Sequence, residues 1–382
     1  MVNSPQKFAR LLTTAVHTIR LRQTKTIGMV QDELGYALGR DGGSCIEYWR
    51  KGHIPAALTD LENLARELVE REGLNPDELQ QFLASAGHPQ PARLTADLYP
   101  PPQNFAPFVV GPPIIHPRQF FGRDRELKRI FGLWQRFPLQ NVAVIGLPRS
   151  GKTSLLRYLV SITQIPSEQL RPGQRHDWLS QAECYQWVMV DFQDARMGHQ
   201  ESLLRYLLTG LKLPPPDPCT LETFMDTVSR HLQTPAIILM DEIGAGLASP
   251  ELDQQFWWSL RALGSNYSEG KIGFVLTAHE APAFLARELG KPSPFFNIFG
   301  HTLTLGPLDE AAARELLACS PRPFAPAEIE WILTQSGCWP VLLQILGDTY
   351  LAALEDSQRG STWREEGLRR IAPWQYLLEA SC

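Results

Sequence analysis

Hydrophobic positions along this chain follow two rhythms, and the change from one to the other divides it. From Lys7 to Arg22 the stretch "KFARLLTTAVHTIRLR" puts Phe8, Leu11, Leu12, Ala15 and Ile19 on one stripe, the three-to-four spacing of an amphipathic helix. "LTDLENLARELVEREG" repeats that spacing with leucines from Leu58. Residues 1–90 therefore read as a small helical domain.

Between His88 and Arg118 the rhythm stops. "HPQPARLTADLYPPPQNFAPFVVGPPIIHPR" is too dense in proline for a continuous helix or a central strand. Residues 91–118 are expected to form an extended linker, with Phe105, Phe108, Ile114 and Ile115 laid against a neighbouring surface. Beyond it, short apolar runs alternate with helix-length segments: "NVAVIG", "YQWVMVD", "AIILMD", "IGFVLT" and "HTLTL". Strands separated by helices predict a parallel α/β sheet over 119–305. From about Pro307 only helical patterns remain, so 306–382 are expected to be a helical domain.

Composition narrows the class. A chain of 382 residues has room for two or three domains. With 43% hydrophobic residues, 20% charged residues and a net charge of −5, it is an ordinary globular composition. That charge excludes wholesale coating of nucleic acid while leaving room for a local basic patch. The six cysteines, Cys45, Cys184, Cys219, Cys319, Cys338 and Cys382, form no C-x-x-C pair. The expectation is reduced thiols in a cytoplasmic protein. No apolar run approaches the ~20 residues of a membrane span, and the start lacks the apolar core of a secretory signal. No membrane partner is expected.

The sharpest chemistry lies where the first strand meets a helix. Gly146, Leu147, Pro148, Arg149, Ser150, Gly151, Lys152 and Thr153 match G-x-x-x-x-G-K-[ST], with Ser154 continuing the helix. Glycines let backbone N–H groups turn inward and approach phosphate oxygens, and the helix start adds its partial positive charge. Lys152 is expected to neutralise the β- and γ-phosphates, and the Thr153 hydroxyl to ligate Mg2+. "PAIILMDEIG" ends a second strand in Asp241 and Glu242, at the sheet edge where open α/β sheets bind ligands. Asp241 is expected to hold Mg2+ through water, and Glu242 to polarise an attacking water. A third strand, "KIGFVLTAHE", ends at Thr277 with His279 beyond. Thr277 is the candidate γ-phosphate sensor, although His279 also reads as an ordinary loop histidine.

These residues resemble the AAA+ and STAND branch of P-loop ATPases. "FFGRDREL" looks like that branch's F-x-G-R-x-x-E-L motif, which by resemblance sets Phe121, Gly122 and Arg123 near adenine. "LGPLDEAAARELL" resembles the Gly-x-Pro region, where Pro307 touches the nucleotide as a helical lid begins. "SGCWPVLLQILG" resembles the G-G-x-P-x-x-L-x-x-L helix of related lids. The resemblance implies ATP or ADP with Mg2+, and a homo-oligomer in the ATP state. No arginine follows the third strand where many relatives carry one. Arg287 and Arg314 are the candidates for an arginine finger, a group worth ~10³–10⁵ in rate. Without one, slow, switch-like hydrolysis is expected.

"QDELGYALGRDGGSCIEYWRKGHIP" resembles the Cro/repressor type of helix-turn-helix, with Gln31, Glu33, Leu34, Gly39, Trp49, Gly52 and Pro55 in place. From Met1 to Pro55 eight basic residues face four acids, a local excess suited to a phosphate backbone. The second helix begins "GGSCIEYW", without Arg, Asn or Gln to read base edges. DNA contact, mostly non-specific, and docking to a protein effector both stay open. The expected function is an ATP-controlled switch acting on the helix-turn-helix module and on oligomerisation. The alternative is a DNA-associated AAA+ regulator of the transposition, replication or transcription kind. A third reading, an idle scaffold that keeps its nucleotide, fits poorly with the intact Lys152, Thr153, Asp241 and Glu242.

Overall fold

The computed structural model describes residues 4–99, 105–356 and 360–379. Cys382 and the centre of the proline-rich stretch lie outside them. The chain divides into two compact units, Met1–Asn104 and Phe105–Cys382.

The first unit is all helical: α1 Pro5–Gln23, α2 Ile27–Ala37, α3 Ser44–Arg50, α4 Leu58–Glu70, α5 Pro76–Ser85 and α6 Pro91–Leu98. The stripe read from the sequence is its core, with Phe8, Leu12, Ala15 and Ile19 fully buried among Leu34, Ile46, Leu64 and Phe82. Asp32 of α2 accepts a hydrogen bond from the Gly43 N–H at 2.8 Å, fastening the start of α3 to α2. Helix α6 departs from the expected extended linker. Pro91 sits at the first helical position, where a missing N–H costs nothing. Leu94 buries against the unit's core, and the Thr95 hydroxyl donates to the Pro91 carbonyl. The prolines bound this helix rather than break it.

The second unit carries a five-stranded parallel sheet. In chain order it contains α7 Asp124–Trp134, β1 Val142–Ile145, α8 Lys152–Ser161, β2 Gln186–Asp191, α9 Gln200–Gly210 and α10 Leu221–His231. There follow β3 Ala236–Asp241, α11 Ile243–Ala248, α12 Gln254–Ala262, β4 Ile272–Ala278, α13 Pro282–Glu288 and β5 His301–Thr304. Helices α14 Glu310–Leu317, α15 Pro326–Ser336, α16 Pro340–Glu355, α17 Thr362–Ile371 and α18 Tyr376–Glu379 complete it. The strand order is β2-β3-β4-β1-β5, with every pairing parallel. All five apolar runs are strands.

Alternation across the pleat separates two cores. Ile238, Met240, Phe274 and Leu276 face one layer, while Ile237, Leu239, Val275 and Val144 face the other. Strands β3 and β4 are buried along their whole length, as central strands covered on both faces must be. Helices α14 to α17 build a third core around Leu316, Leu342, Leu346 and Trp363. No helix among the described residues is long and apolar enough to cross a membrane.

Candidate nucleotide-binding site

The turn from β1 into α8 is built for close approach. A Cβ on Gly146 would meet Ser150 Oγ at 2.6 Å and the Leu305 carbonyl oxygen at 2.9 Å. Gly151, with φ +95°, occupies the left-handed region that favours glycine. Arg149 takes that conformation too, with φ 69°. Its guanidinium donates to the Gly111 carbonyl and lies 5.0 Å from the Trp374 ring centroid. The Tyr376 hydroxyl donates to the Pro148 carbonyl at 3.3 Å. The loop's apex is thus held by the segment after α17.

Lys152 is buried, and its ammonium donates to the Gly146 and Leu147 carbonyls at 2.9 and 3.2 Å. Burial lowers its pKa, while Glu242 and Asp241 push it back up. An ammonium with this little water is suited to an anion that restores the lost solvation.

The two acids stand at the end of β3, where the sheet edge opens. Asp241 is 2% exposed, and its Oδ1 accepts from the Thr277 hydroxyl at 2.6 Å. That hydroxyl accepts from the Glu242 N–H at 2.9 Å. Thr277 is fully buried, so its described contacts are with these two residues. His279 is exposed in the loop beyond.

One cleft of 510 Å³ gathers Pro148, Arg149, Gly151, Lys152, Thr153 and Ser154 with Asp241 and Glu242. Three further walls were not assigned to the site from the sequence. Asp191 and Gln193 come from the end of β2, directly beside β3, with Asp191 in register with Asp241. Val109, Gly111, Pro112, Pro113 and Ile114 form a strap along one side, and Pro340, Val341 and Gln344 of α16 adjoin it. The strap is tied down at both ends. Gln344 Oε1 accepts from the Val109 N–H at 2.8 Å, and Ser154 Oγ accepts from the Ile114 N–H at 3.0 Å.

Phe121, Gly122, Arg123 and Pro307 do not line this cleft. Phe121 is buried in the core of the C-terminal helices, beneath the Arg171 guanidinium at 3.9 Å. Arg123, 8% exposed, donates to the carbonyls of Ser150 and Pro307, each at 3.3 Å, and to that of Gly306. Burial lowers its pKa, against the pull of Glu126 and Asp309. The motif expected beside a base is a buried joint here, and Pro307 contributes its carbonyl to it. Of the two finger candidates, Arg287 is exposed on α13, whereas Arg314 is ion-paired with Glu310 and Glu330.

The residues present fit a nucleotide and a divalent cation. Ser150 Oγ is buried with no partner in the turn from β1 into α8. The Thr153 hydroxyl engages no other group among the described residues, and Asp241 keeps its second oxygen for a cation or its water. Oxygen ligands of this kind suit Mg2+.

In the first unit, the basic excess of the opening residues is cancelled. Residues 1–99 carry eleven basic and twelve acidic side chains. Arg22 pairs with Glu72, Lys25 with Glu33, Arg40 with Asp60 and Lys51 with Glu47. On α3, Tyr48 stacks on His53 at 3.7 Å.

No protein-family model and no curated protein matches this chain. Among solved structures it is similar to a Walker-type ATPase of Pyrococcus abyssi, at 17% identity over 71% of this chain and 77% of that one, TM-score 0.49. It is also similar to the ADP form of the ORC2 protein of Aeropyrum pernix, at 15% identity over 68% and 70%, TM-score 0.46. Domain III of the replication initiation protein DnaA of Thermotoga maritima matches at 12% identity over 68% of this chain and 96% of that domain, TM-score 0.40. At such values the likeness is one of chain path and says nothing of activity.

Proposed function

We propose that this chain is an ATP-binding, slowly hydrolysing molecular switch, whose nucleotide state governs assembly and the use of its N-terminal helical unit. The observation that carries this reading is a single cleft uniting Lys152 and Thr153 with Asp241 and Glu242. Lys152 and the loop N–H groups bind and orient the phosphates. Thr153 and Asp241 hold Mg2+, which supplies charge neutralisation there. Glu242 takes the proton of the attacking water, and Thr277 keeps both acids in position. The strap and the adjoining Pro340 to Gln344 face of α16 receive the base.

Slow turnover follows from the lack of a cation assigned to the leaving-phosphate side. The cancelled charge of residues 1–99 favours protein contact or self-association over DNA as the task of the N-terminal unit. Electrostatic attraction to a phosphate backbone needs an unpaired basic surface.

The test is calorimetric titration of the purified chain with ATP and ADP in Mg2+, followed by sizing with ATP, with and without duplex DNA. Nucleotide binding with ATP-dependent assembly that ignores DNA supports the switch. Assembly that requires DNA supports the regulator reading instead, and no nucleotide uptake overturns both.

A further inference from the structure

The cleft is lined by three cationic side chains, Arg149, Lys152 and Arg157. Two of them are engaged: Lys152 with loop carbonyls, and Arg149 with Gly111 and Trp374. The Arg157 guanidinium meets no acid or carbonyl among the described residues. Its Nε is shielded from solvent and has no acceptor. A buried donor left unpaired is destabilising, and in a native fold such a group calls for a reason.

Its place on α8 supplies one. Arg157 follows Thr153 by four residues and Ser154 by three, so all three share one flank of the helix. At about 1.5 Å of rise per residue, Arg157 stands ~6 Å beyond Thr153. Ser154, between them, is where the strap is fastened through the Ile114 N–H. A nucleotide anchored by its phosphates at the loop must lead its sugar along this flank to reach the strap and α16.

We propose that Arg157 is a specificity-determining residue that donates hydrogen bonds to the sugar hydroxyl oxygens of the bound nucleotide, making the site prefer ribonucleotides to deoxyribonucleotides. This rests on the nucleotide-binding reading above. The guanidinium offers several donors in a planar fork and no acceptor, which matches the paired oxygens of a 2′,3′-diol. It is also weakly hydrated for a cation, so it loses little by standing half-buried until the sugar arrives.

The experiment measures the dissociation constants of ADP and 2′-deoxy-ADP, with Mg2+, for the wild type, Arg157→Ala and Arg157→Lys. The expected wild-type preference for ADP is about tenfold or more, the range of one well-placed hydrogen bond. Arg157→Ala should weaken ADP by a similar factor, weaken 2′-deoxy-ADP less and bring the ratio close to one. Arg157→Lys should fall between. Thermal denaturation followed by circular dichroism checks that each variant is folded. An unchanged ratio in Arg157→Ala overturns the proposal. Equal weakening of both nucleotides overturns it as well, because that assigns the guanidinium to phosphate. A wild type that binds neither nucleotide overturns the parent reading, an outcome distinct from the other two.

Discussion

The Thr277 hydroxyl donates to Asp241 Oδ1 at 2.6 Å while accepting from the Glu242 N–H at 2.9 Å, so β4 sets the position of both acids at the end of β3. A buried hydroxyl bonded on both sides acts through its neighbours. Thr277→Val keeps the shape and removes the bridge, leaving a carboxylate oxygen and an N–H unpaired at a cost of about 1–3 kcal/mol. We expect ATP hydrolysis to fall by about tenfold or more, with Mg2+-free ADP binding retained and a lowered melting temperature. Thr277→Ser, which preserves the hydroxyl, should recover most of both. Steady-state phosphate release and thermal denaturation check this. Equal activity in the valine variant would show that the bridge is dispensable.

Lys152→Ala should abolish ATP binding, because the buried ammonium is the cation inside the loop. Glu242→Gln should keep ATP while stopping its hydrolysis, and so hold the assembled state. Equilibrium binding of a fluorescent ATP analogue, with sizing of the glutamine variant, separates these outcomes. Unchanged affinity in the alanine variant would count against the loop as the phosphate site.

Arg123 reaches the carbonyls of Ser150, Gly306 and Pro307 from a buried position. Arg123→Ala leaves those acceptors without their donor. With charged hydrogen bonds worth about 1.5–3 kcal/mol each before relaxation, we expect a melting temperature lowered by roughly 5 °C or more. Arg123→Lys should recover only part of the loss, since one ammonium does not reproduce the planar fork. Differential scanning calorimetry reads both variants, and a melting temperature equal to the wild type would show that the joint is not structural.

A Cβ placed on Gly347 would collide with the Phe108 ring, which seats the strap's leading end in the core of the C-terminal helices. Gly347→Ala should lift that end and loosen the Val109–Gln344 hydrogen bond. We expect nucleotide affinity to drop several-fold while pyrophosphate, which has no base, binds as before. Competition titration of the two ligands provides the comparison. Parallel losses would remove the strap from the base side.

The local chemistry was legible because it is local. Gly146 to Thr153 form one turn, and Asp241 and Glu242 are adjacent residues at the end of a continuous apolar strand. Strands β3 and β4 are legible for the same reason, since a parallel strand covered on both faces is a short, unbroken apolar run. What escaped depends on distant partners. The strap lines the cleft because Phe108 seats against Gly347 and Val109 against Gln344, contacts between segments more than two hundred residues apart. Asp191 ends "YQWVMVD" as Asp241 ends "AIILMD", a parallel visible in the letters, yet only the β2–β3 register makes them neighbours. Helix α6 is hidden because proline density alone does not show that Pro91 occupies the first helical position. The motif resemblance sets Arg123 near a base, and its three carbonyl partners come from segments its sequence neighbourhood does not reveal.

Arg149 has its own test in Trp374. Removing that ring by Trp374→Ala leaves the guanidinium with Gly111 alone, and the apex should become more mobile. Faster release of a fluorescent ADP analogue, by a few-fold at an interaction worth about 0.5–2 kcal/mol, is the expected result in stopped-flow measurement. An unaltered release rate would detach the C-terminal segment from control of the loop.

The strap has one more property, which comes from covalent bonds alone. Val109 is five residues past Asn104, where the helical unit ends, so the wall that would touch a base lies near the start of the second unit. A ligand that shifts this wall shifts residues only a few positions from the unit boundary, without any need for a signal to cross the sheet. Occupancy would then be reported along the backbone itself, through the shortest path the polypeptide offers.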